Sequence, residues 1–312
     1  MTVTVRRWLD AGELDLPLPG SGRTLARWSA LADLCETDIV AGRLAEAHTD
    51  AVAILAELGG PPVSPGRLWG VWAAEAPGAT VQAHQDGDTV TLSGTKAWCS
   101  GAGLCTDALV TATTTAGVRG LYAVDLHAPG VQPLPSNWHN PGMAASDTRP
   151  VQFTNAPATA VGGPDDYLRR PGFWHGAAGV AACWLGGARA VAAPLYCVVA
   201  EKNSSGRGDP HAAAHLGAVD AALAAAAALL AATAAQFDSD PGGDGGELAA
   251  RRLRAAVEWA VEEAIGRSAR ALGPAPLALD AAHAGRVADL SMYVRQSHAE
   301  KDLAALGTLV AG

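Results

Sequence analysis

Two abrupt changes in hydrophobic periodicity, one at residues 59–66 and one near Pro171, divide this chain into three zones and leave few architectures open to it. In the first zone Leu25, Trp28, Leu31 and Leu34, then Ile39, Leu44, Val52, Leu55 and Leu58, recur at helical spacing over residues 24–59. The segment GGPPVSPG (59–66) holds three prolines and three glycines and must end any helix. From Leu68 to about Val161 the texture is different. Short alternating runs, Thr80–His84, Thr89–Trp98, Asp107–Thr115, Leu121–Leu126 and Pro150–Ala156, are separated by turn residues. Asp86-Gly87-Asp88 between the first two of these reads as a hairpin turn. After Pro171 the pattern is helical to the end, with four helices expected at roughly 172–202, 210–237, 247–270 and 280–308. The breaks fall at NSSGRGDP, DSDPGGDGG and GPAP, and Pro210 sits in a first turn, where proline fits.

The expected organisation is therefore a short N-terminal helical region (1–66), a central antiparallel β domain, barrel or sandwich (67–165), and a C-terminal four-helix bundle (166–312). A chain of 312 residues with 49 % hydrophobic and 17 % charged residues can bury a sizeable core and is not a disordered polymer. The formal net charge of −9, without any basic run, argues against nucleic acid as a partner. Cys35, Cys99, Cys105, Cys183 and Cys197 form no Cys-x-x-Cys, so neither a disulfide framework nor a zinc site is indicated. That fits a cytoplasmic protein. The first residues carry acids where a signal peptide would be apolar. The longest apolar run, Ala221–Ala235, is mostly alanine and too short to span a bilayer, so a buried helix and no membrane partner are expected.

No Gly-x-Gly-x-x-Gly follows a strand and no phosphate-binding Gly-x-x-x-x-Gly-Lys motif occurs, so neither a Rossmann site nor a P-loop is supported. His211 and His215 stand one helical turn apart without a third ligand, and no metal is expected there. Asp107, Asp125 and Asp147 read as strand-end or turn residues.

Three segments of the β zone are more distinctive. Trp72-Ala-Ala-Glu75-Ala-Pro77-Gly78-Ala-Thr80 comes first, then Gly94-Thr-Lys96-Ala-Trp98-Cys99-Ser100-Gly101, and, after Trp138, Gly142-Met-Ala-Ala-Ser146-Asp-Thr148 ahead of Val151-Gln-Phe153. Their order and spacing resemble the middle domain of the acyl-CoA dehydrogenase superfamily, and with the helical region behind them the likeness covers about residues 67–307. The resemblance implies FAD held between a β-barrel and a helical bundle, in a flavin-dependent oxidoreductase acting on an acyl thioester or a related small molecule. It places Glu75 and Gly78 in a loop beside the cofactor, and Trp98, Cys99 and Ser100 on the strand against the flavin ring. Donors aimed at the N5 and O4 edge of that ring would stabilise its reduced form. Ala74 stands where the family has a flavin-binding Thr, and Ala79-Thr80 where it has Gly-Ser.

In the bundle the resemblance assigns Arg207 to the cofactor diphosphate, and Arg270 and Gly273 to a segment that reaches the cofactor of a neighbouring subunit. A guanidinium there suits a diphosphate. It also implies a homo-oligomer or a hetero-oligomer with a related subunit, and an electron-transfer partner. The family's usual catalytic Glu is missing: Ser297 occupies its position in the segment that begins at Asp289, with His298 beside it. His175, at the start of the bundle, is near an alternative position for the base, and either histidine has a suitable ordinary pKa. Read on their own, both are ordinary histidines of a helix start and an exposed helix face. A flavin-dependent monooxygenase of the same fold and a catalytically degenerate partner subunit remain as alternatives.

Overall fold

The computed structural model describes residues 2–312, which fall into two compact units. The first comprises residues 2–16, Arg43–Asn140 and Ala144–Phe173; the second comprises Pro17–Gly42, Pro141–Met143 and Trp174–Gly312. In chain order the helices before the sheet are α1 (Thr2–Asp10), α2 (Thr24–Thr37) and α3 (Ile39–Leu58). The strands are β1 (Trp69–Trp72), β2 (Val81–Asp86), β3 (Thr89–Cys99), β4 (Asp107–Thr114), β5 (Arg119–Asp125), β6 (Val131–Pro133) and β7 (Arg149–Val161). There follow α4 (Asp166–Arg169), α5 (Gly172–Ser204), α6 (Pro210–Ser239), α7 (Gly246–Leu272), α8 (Ala275–Leu279), α9 (Ala281–Tyr293) and α10 (Glu300–Ala311).

The strands of the first unit close on themselves. β4 pairs with β2, β2 with β3, β3 with β7, β7 with β5, and β5 again with β4, so five strands form a barrel with β1 and β6 added at β4 and β7. The expected antiparallel pattern holds for most pairs, but β4 runs parallel to both β1 and β2. β4 follows β3 in the opposite direction but pairs on the side of β2 away from β3, so it runs parallel to β2, a feature that alternation within strands cannot reveal. The hairpin turn forms where Asp86-Gly87-Asp88 stands, with Gly87 at φ 58°. Trp72, Leu92, Val110, Tyr122, Val151 and Phe153 belong to one apolar cluster of this unit. A second layer lies outside: Ala51, Ile54 and Leu55 of α3 pack on Trp69, Leu109, Leu121 and Val161. β4 thus supplies both layers from alternate residues, which is why its sequence reads as a nearly unbroken apolar run.

α1 has no counterpart in the sequence reading. It is fixed by docking: Val5 and Trp8 are buried, and the Arg6 guanidinium donates to the carbonyls of Gly66 and Leu104 at 3.0 and 2.7 Å. His48 of α3 accepts the Trp69 backbone N–H on Nδ1 at 3.2 Å, joining helix and strand. Burial pulls its pKa down to about 4, with Asp15 opposing and Arg6 assisting.

The second unit is helical throughout apart from its connections. α5 is its buried core helix, and its Gly186 lets α2 come close, since a Cβ there would collide with the Ala32 carbonyl. Arg251 and Arg254 of α7 lie over the rings of Trp174 and Trp184 of α5, 4.9 and 4.5 Å from their centroids. The first three bundle helices form where the periodicity puts them. The fourth does not run from 280 to 308 as one helix: α9 ends at Tyr293, a single tight turn covers Val294–Gln296, and α10 begins at Glu300. Between them Ser297 is extended and Ala299 takes φ 45°, ψ −118°, so the helix cannot continue. α6, like α5, is long and apolar enough to cross a bilayer by length and composition. The apolar stretch is thus longer than the Ala221–Ala235 run implied.

Candidate functional site

Strand β3 carries the residues that the sequence singles out. Its pairing with β7 has two irregularities, one between Leu92 and Gly94 and one between Lys96 and Cys99. At the first, Gly94 has φ 124°, and a Cβ would collide with the Thr80 carbonyl, so only glycine fits. At the second, Lys96 and Cys99 are both buried while Trp98 is 50 % exposed. The Cys99 thiol is therefore not presented to a ligand. The Cys99 Sγ donates inward to the Lys96 carbonyl at 3.3 Å, and burial pushes the thiol pKa up.

Just beyond the strand, Ser100 is held on two sides. Its carbonyl accepts from the Trp72 indole Nε1 at 3.0 Å, and its hydroxyl meets Thr148 Oγ1 at 2.9 Å. Thr148 Oγ1 in turn meets Ser146 Oγ at 2.8 Å. Three hydroxyls bring three protons to a row with two internal hydrogen bonds, so one proton is left over, and either partner of each bond can be its donor. Ser146 is 2 % exposed and Thr148 7 %, whereas Ser100 is only half-buried, so the accessible end of the row is Ser100. The segment bearing Ser146 is tied back to β3 by the Gly101 N–H, which donates to the Ser146 carbonyl at 2.7 Å.

Glu75 and Gly78 lie in the loop between β1 and β2. Gly78 has φ 77° and open space around it, in a turn closed by Ala79 N–H donating to the Ala76 carbonyl. The Glu75 carboxylate faces Lys96 Nζ at 3.2 Å and Thr111 Oγ1 at 2.9 Å. Lys96 also donates to Thr111 Oγ1 and to the Thr111 carbonyl, at 2.8 and 3.2 Å. Burial pulls the Lys96 pKa down and Glu75 opposes it. The loop is thereby clamped to β3 and β4 through one buried ammonium.

In the second unit the selected residues occupy separate surroundings. His175 is 4 % exposed, its ring 4.2 Å from that of Phe237 and its Nε2 3.2 Å from the Pro241 carbonyl. His298 is 70 % exposed at its side chain, with Nδ1 3.6 Å from Asp302. Ser297 donates its hydroxyl to Glu258 of α7 at 2.6 Å, and Glu258 also faces Arg295 at 3.4 Å. Asp289 accepts the Met143 N–H at 2.6 Å, and burial raises its pKa. Arg207 is exposed in the loop before α6, with Nε 3.1 Å from Ser205 Oγ. Arg270 is exposed in the last turn of α7, and Gly273 follows as its C-terminal cap with φ 71°. Among the described residues no group of three or more His, Cys, Asp or Glu is placed to hold a metal ion.

The structure thus groups Glu75, Trp98 and Ser100 around β3, and adds Lys96, Thr111 and Thr148, which sequence reasoning did not select. Lys96 and Thr148 lie inside the quoted motifs, but a lysine's burial and a hydroxyl's partner are tertiary facts. Glu258 had no local signal; only the fold brings it to Ser297.

No protein-family model and no curated protein sequence matches the chain. Solved structures do match. Butyryl-CoA dehydrogenase from Megasphaera elsdenii aligns with a TM-score of 0.84 at 16 % identity, over 99 % of this chain and 89 % of that one. Dibenzothiophene monooxygenase from Paenibacillus sp. A11-2 aligns with a TM-score of 0.77 at 19 % identity, over 98 % and 94 %. Nitrososynthase from Micromonospora carbonacea var. africana aligns with a TM-score of 0.78 at 20 % identity, over 97 % and 88 %. The chain has the acyl-CoA dehydrogenase fold, and the likeness seen in the three motifs extends to the whole architecture.

Proposed function

We propose that this chain is a flavin-dependent oxidoreductase, with the flavin ring edge at the Ser100 end of the hydroxyl row and its face toward Trp98. The observation that carries the reading is the Ser100 hydroxyl, the accessible end of the Ser100–Thr148–Ser146 row, beside the half-exposed Trp98 indole; in this reading the third proton of the row lies on Ser100 and donates outward. The donor set fits the group: a hydroxyl donor suits the N5 and O4 edge of a flavin, and an exposed indole suits its apolar face. When bound, the flavin would supply a two-electron acceptor. The chain's own part is to orient that acceptor. Trp72 fixes the Ser100 carbonyl, Thr148 fixes its hydroxyl, and the Lys96–Glu75 clamp fixes the adjoining loop. FAD is the form proposed, because the resemblance assigns Arg207 to the cofactor diphosphate and Arg270 to that of a neighbouring subunit, and both are exposed guanidinium groups suited to that contact. The proposed substrate is an acyl thioester or a related small molecule, in a homo-oligomeric protein.

A second reading, a flavin-dependent monooxygenase, draws support from the state of the candidate bases. Ser297 is committed to Glu258, His175 is walled in by Phe237 and Pro241, and His298 faces Asp302 at the surface. Insertion of an oxygen atom does not require abstraction of an α-proton, so it asks less of these residues than dehydrogenation does. The solved structure of dibenzothiophene monooxygenase with FMN and indole shares the fold.

The test is the visible spectrum of the purified protein before and after FAD is supplied. A retained flavin band supports the reading; a colourless protein that takes up no flavin refutes it. Oxygen consumption with reduced flavin, and a product heavier by one oxygen atom, would select the monooxygenase.

A further inference from the structure

Trp98 leaves half of its surface in solvent. Strict alternation along β3 would put it on the face that buries Lys96. The register shift between Lys96 and Cys99 turns it outward instead, the kind of local re-aiming that β-bulges provide. Opposite it stands Trp138, with ring centroids 6.4 Å apart and planes at 86°. Trp138 sits on the irregular stretch after β6, and that stretch is braced. Pro133 and Pro135 restrict its backbone, Leu134 N–H donates to the Pro150 carbonyl at 2.8 Å, and Trp138 N–H donates to Ser136 Oγ at 3.2 Å. Two indoles at right angles form a corner. A flat ring lying on one of them turns its edge to the other, so both contacts fall in geometries that aromatic pairs prefer.

We propose that Trp138 is the second wall of a site for a planar aromatic ring, of which Trp98 is the first. The flavin ring is one source of such a ligand, and to that extent the inference rests on the function proposed above; a flat aromatic substrate is the other. The full chain is titrated with FMN and, separately, with a naphthalenesulfonate, following tryptophan fluorescence and the far-ultraviolet exciton band expected of a close indole pair. Trp98→Phe and Trp138→Phe should each abolish that band. Trp98→Ala and Trp138→Ala should each weaken binding of the same probe by about three- to tenfold. Thermal unfolding of each variant confirms that it is folded. If FMN does not bind and the naphthalenesulfonate responds to both substitutions, the corner stands and the flavin reading fails. If FMN and the naphthalenesulfonate both bind equally well to both alanine variants, the flavin reading stands and the corner is overturned. Binding of neither probe, or binding sensitive to Trp98 alone, also overturns it.

Discussion

Ser297 Oγ donates to Glu258 Oε2 across 2.6 Å, and the Ala299 N–H donates back to the same hydroxyl at 3.1 Å. Ser297, which the sequence resemblance sets at the position of a family glutamate, is thus an anchor of the break between α9 and α10. Restoring the glutamate would set a second carboxylate against Glu258. Ser297→Glu should cost about 1–3 kcal/mol in urea unfolding, and Ser297→Ala about 1 kcal/mol. A Ser297→Glu protein as stable as the parent would show that the side chain has another place to go.

Stability should fall with acid because of His48. Its folded pKa is about 4, against 6.5 for the free side chain. The unfolded chain therefore takes up the proton first as pH falls. This contribution is complete above about pH 6.5, is lost progressively on the way down to about pH 4, and amounts to about 3 kcal/mol. His48→Gln keeps an acceptor for the Trp69 N–H but does not titrate. Its denaturation midpoint should fall less than the parent's between pH 7 and pH 4.5; parallel pH profiles would exclude His48 as the source.

Much of this was legible in the sequence. Strands β2, β3, β4, β5 and the first half of β7, the hairpin at Gly87 and the helices α5, α6 and α7 follow from period and punctuation, because each is decided by local burial pattern; β1 and β6 were not legible that way. The parallel course of β4, the docking of α1 and the break at Ser297 do not. Each depends on a partner distant in the chain: Trp69 and Gln82 for β4, Gly66 and Leu104 for Arg6, Glu258 for Ser297. The same division holds around β3. Trp98 and Ser100 could be selected from a motif, whereas the buried state of Lys96 and the hydroxyl row behind Ser100 required coordinates.

The Lys96–Glu75 pair should be asymmetric. Lys96 is 2 % exposed at its side chain and Glu75 44 %. Deleting the lysine leaves a carboxylate that water can reach, so Lys96→Met should cost less than about 1 kcal/mol. Deleting the acid leaves a buried ammonium with only the oxygens of Thr111 to accept from it, and Glu75→Ala should cost about 2–3 kcal/mol. Chemical denaturation of the two variants measures the difference; equal losses would mean that the pair acts mainly by filling space.

The hydroxyl row should be visible in a reduction potential. Ser100 is the accessible end of the row, and a donor aimed at the flavin edge favours the reduced, more negative ring. Ser100→Ala removes that donor and should lower the two-electron midpoint by on the order of 30 mV, the equivalent of about 1.4 kcal/mol. Thr148→Val leaves the Ser100 proton in place but takes away the partner at 2.9 Å that orients it, so its shift should have the same sign and be smaller. Ser100→Thr keeps the hydroxyl and should restore most of the value. Xanthine oxidase titration against a reference dye reads all three. A Ser100→Ala midpoint equal to the parent's would mean that the spare proton of the row points away from the ring.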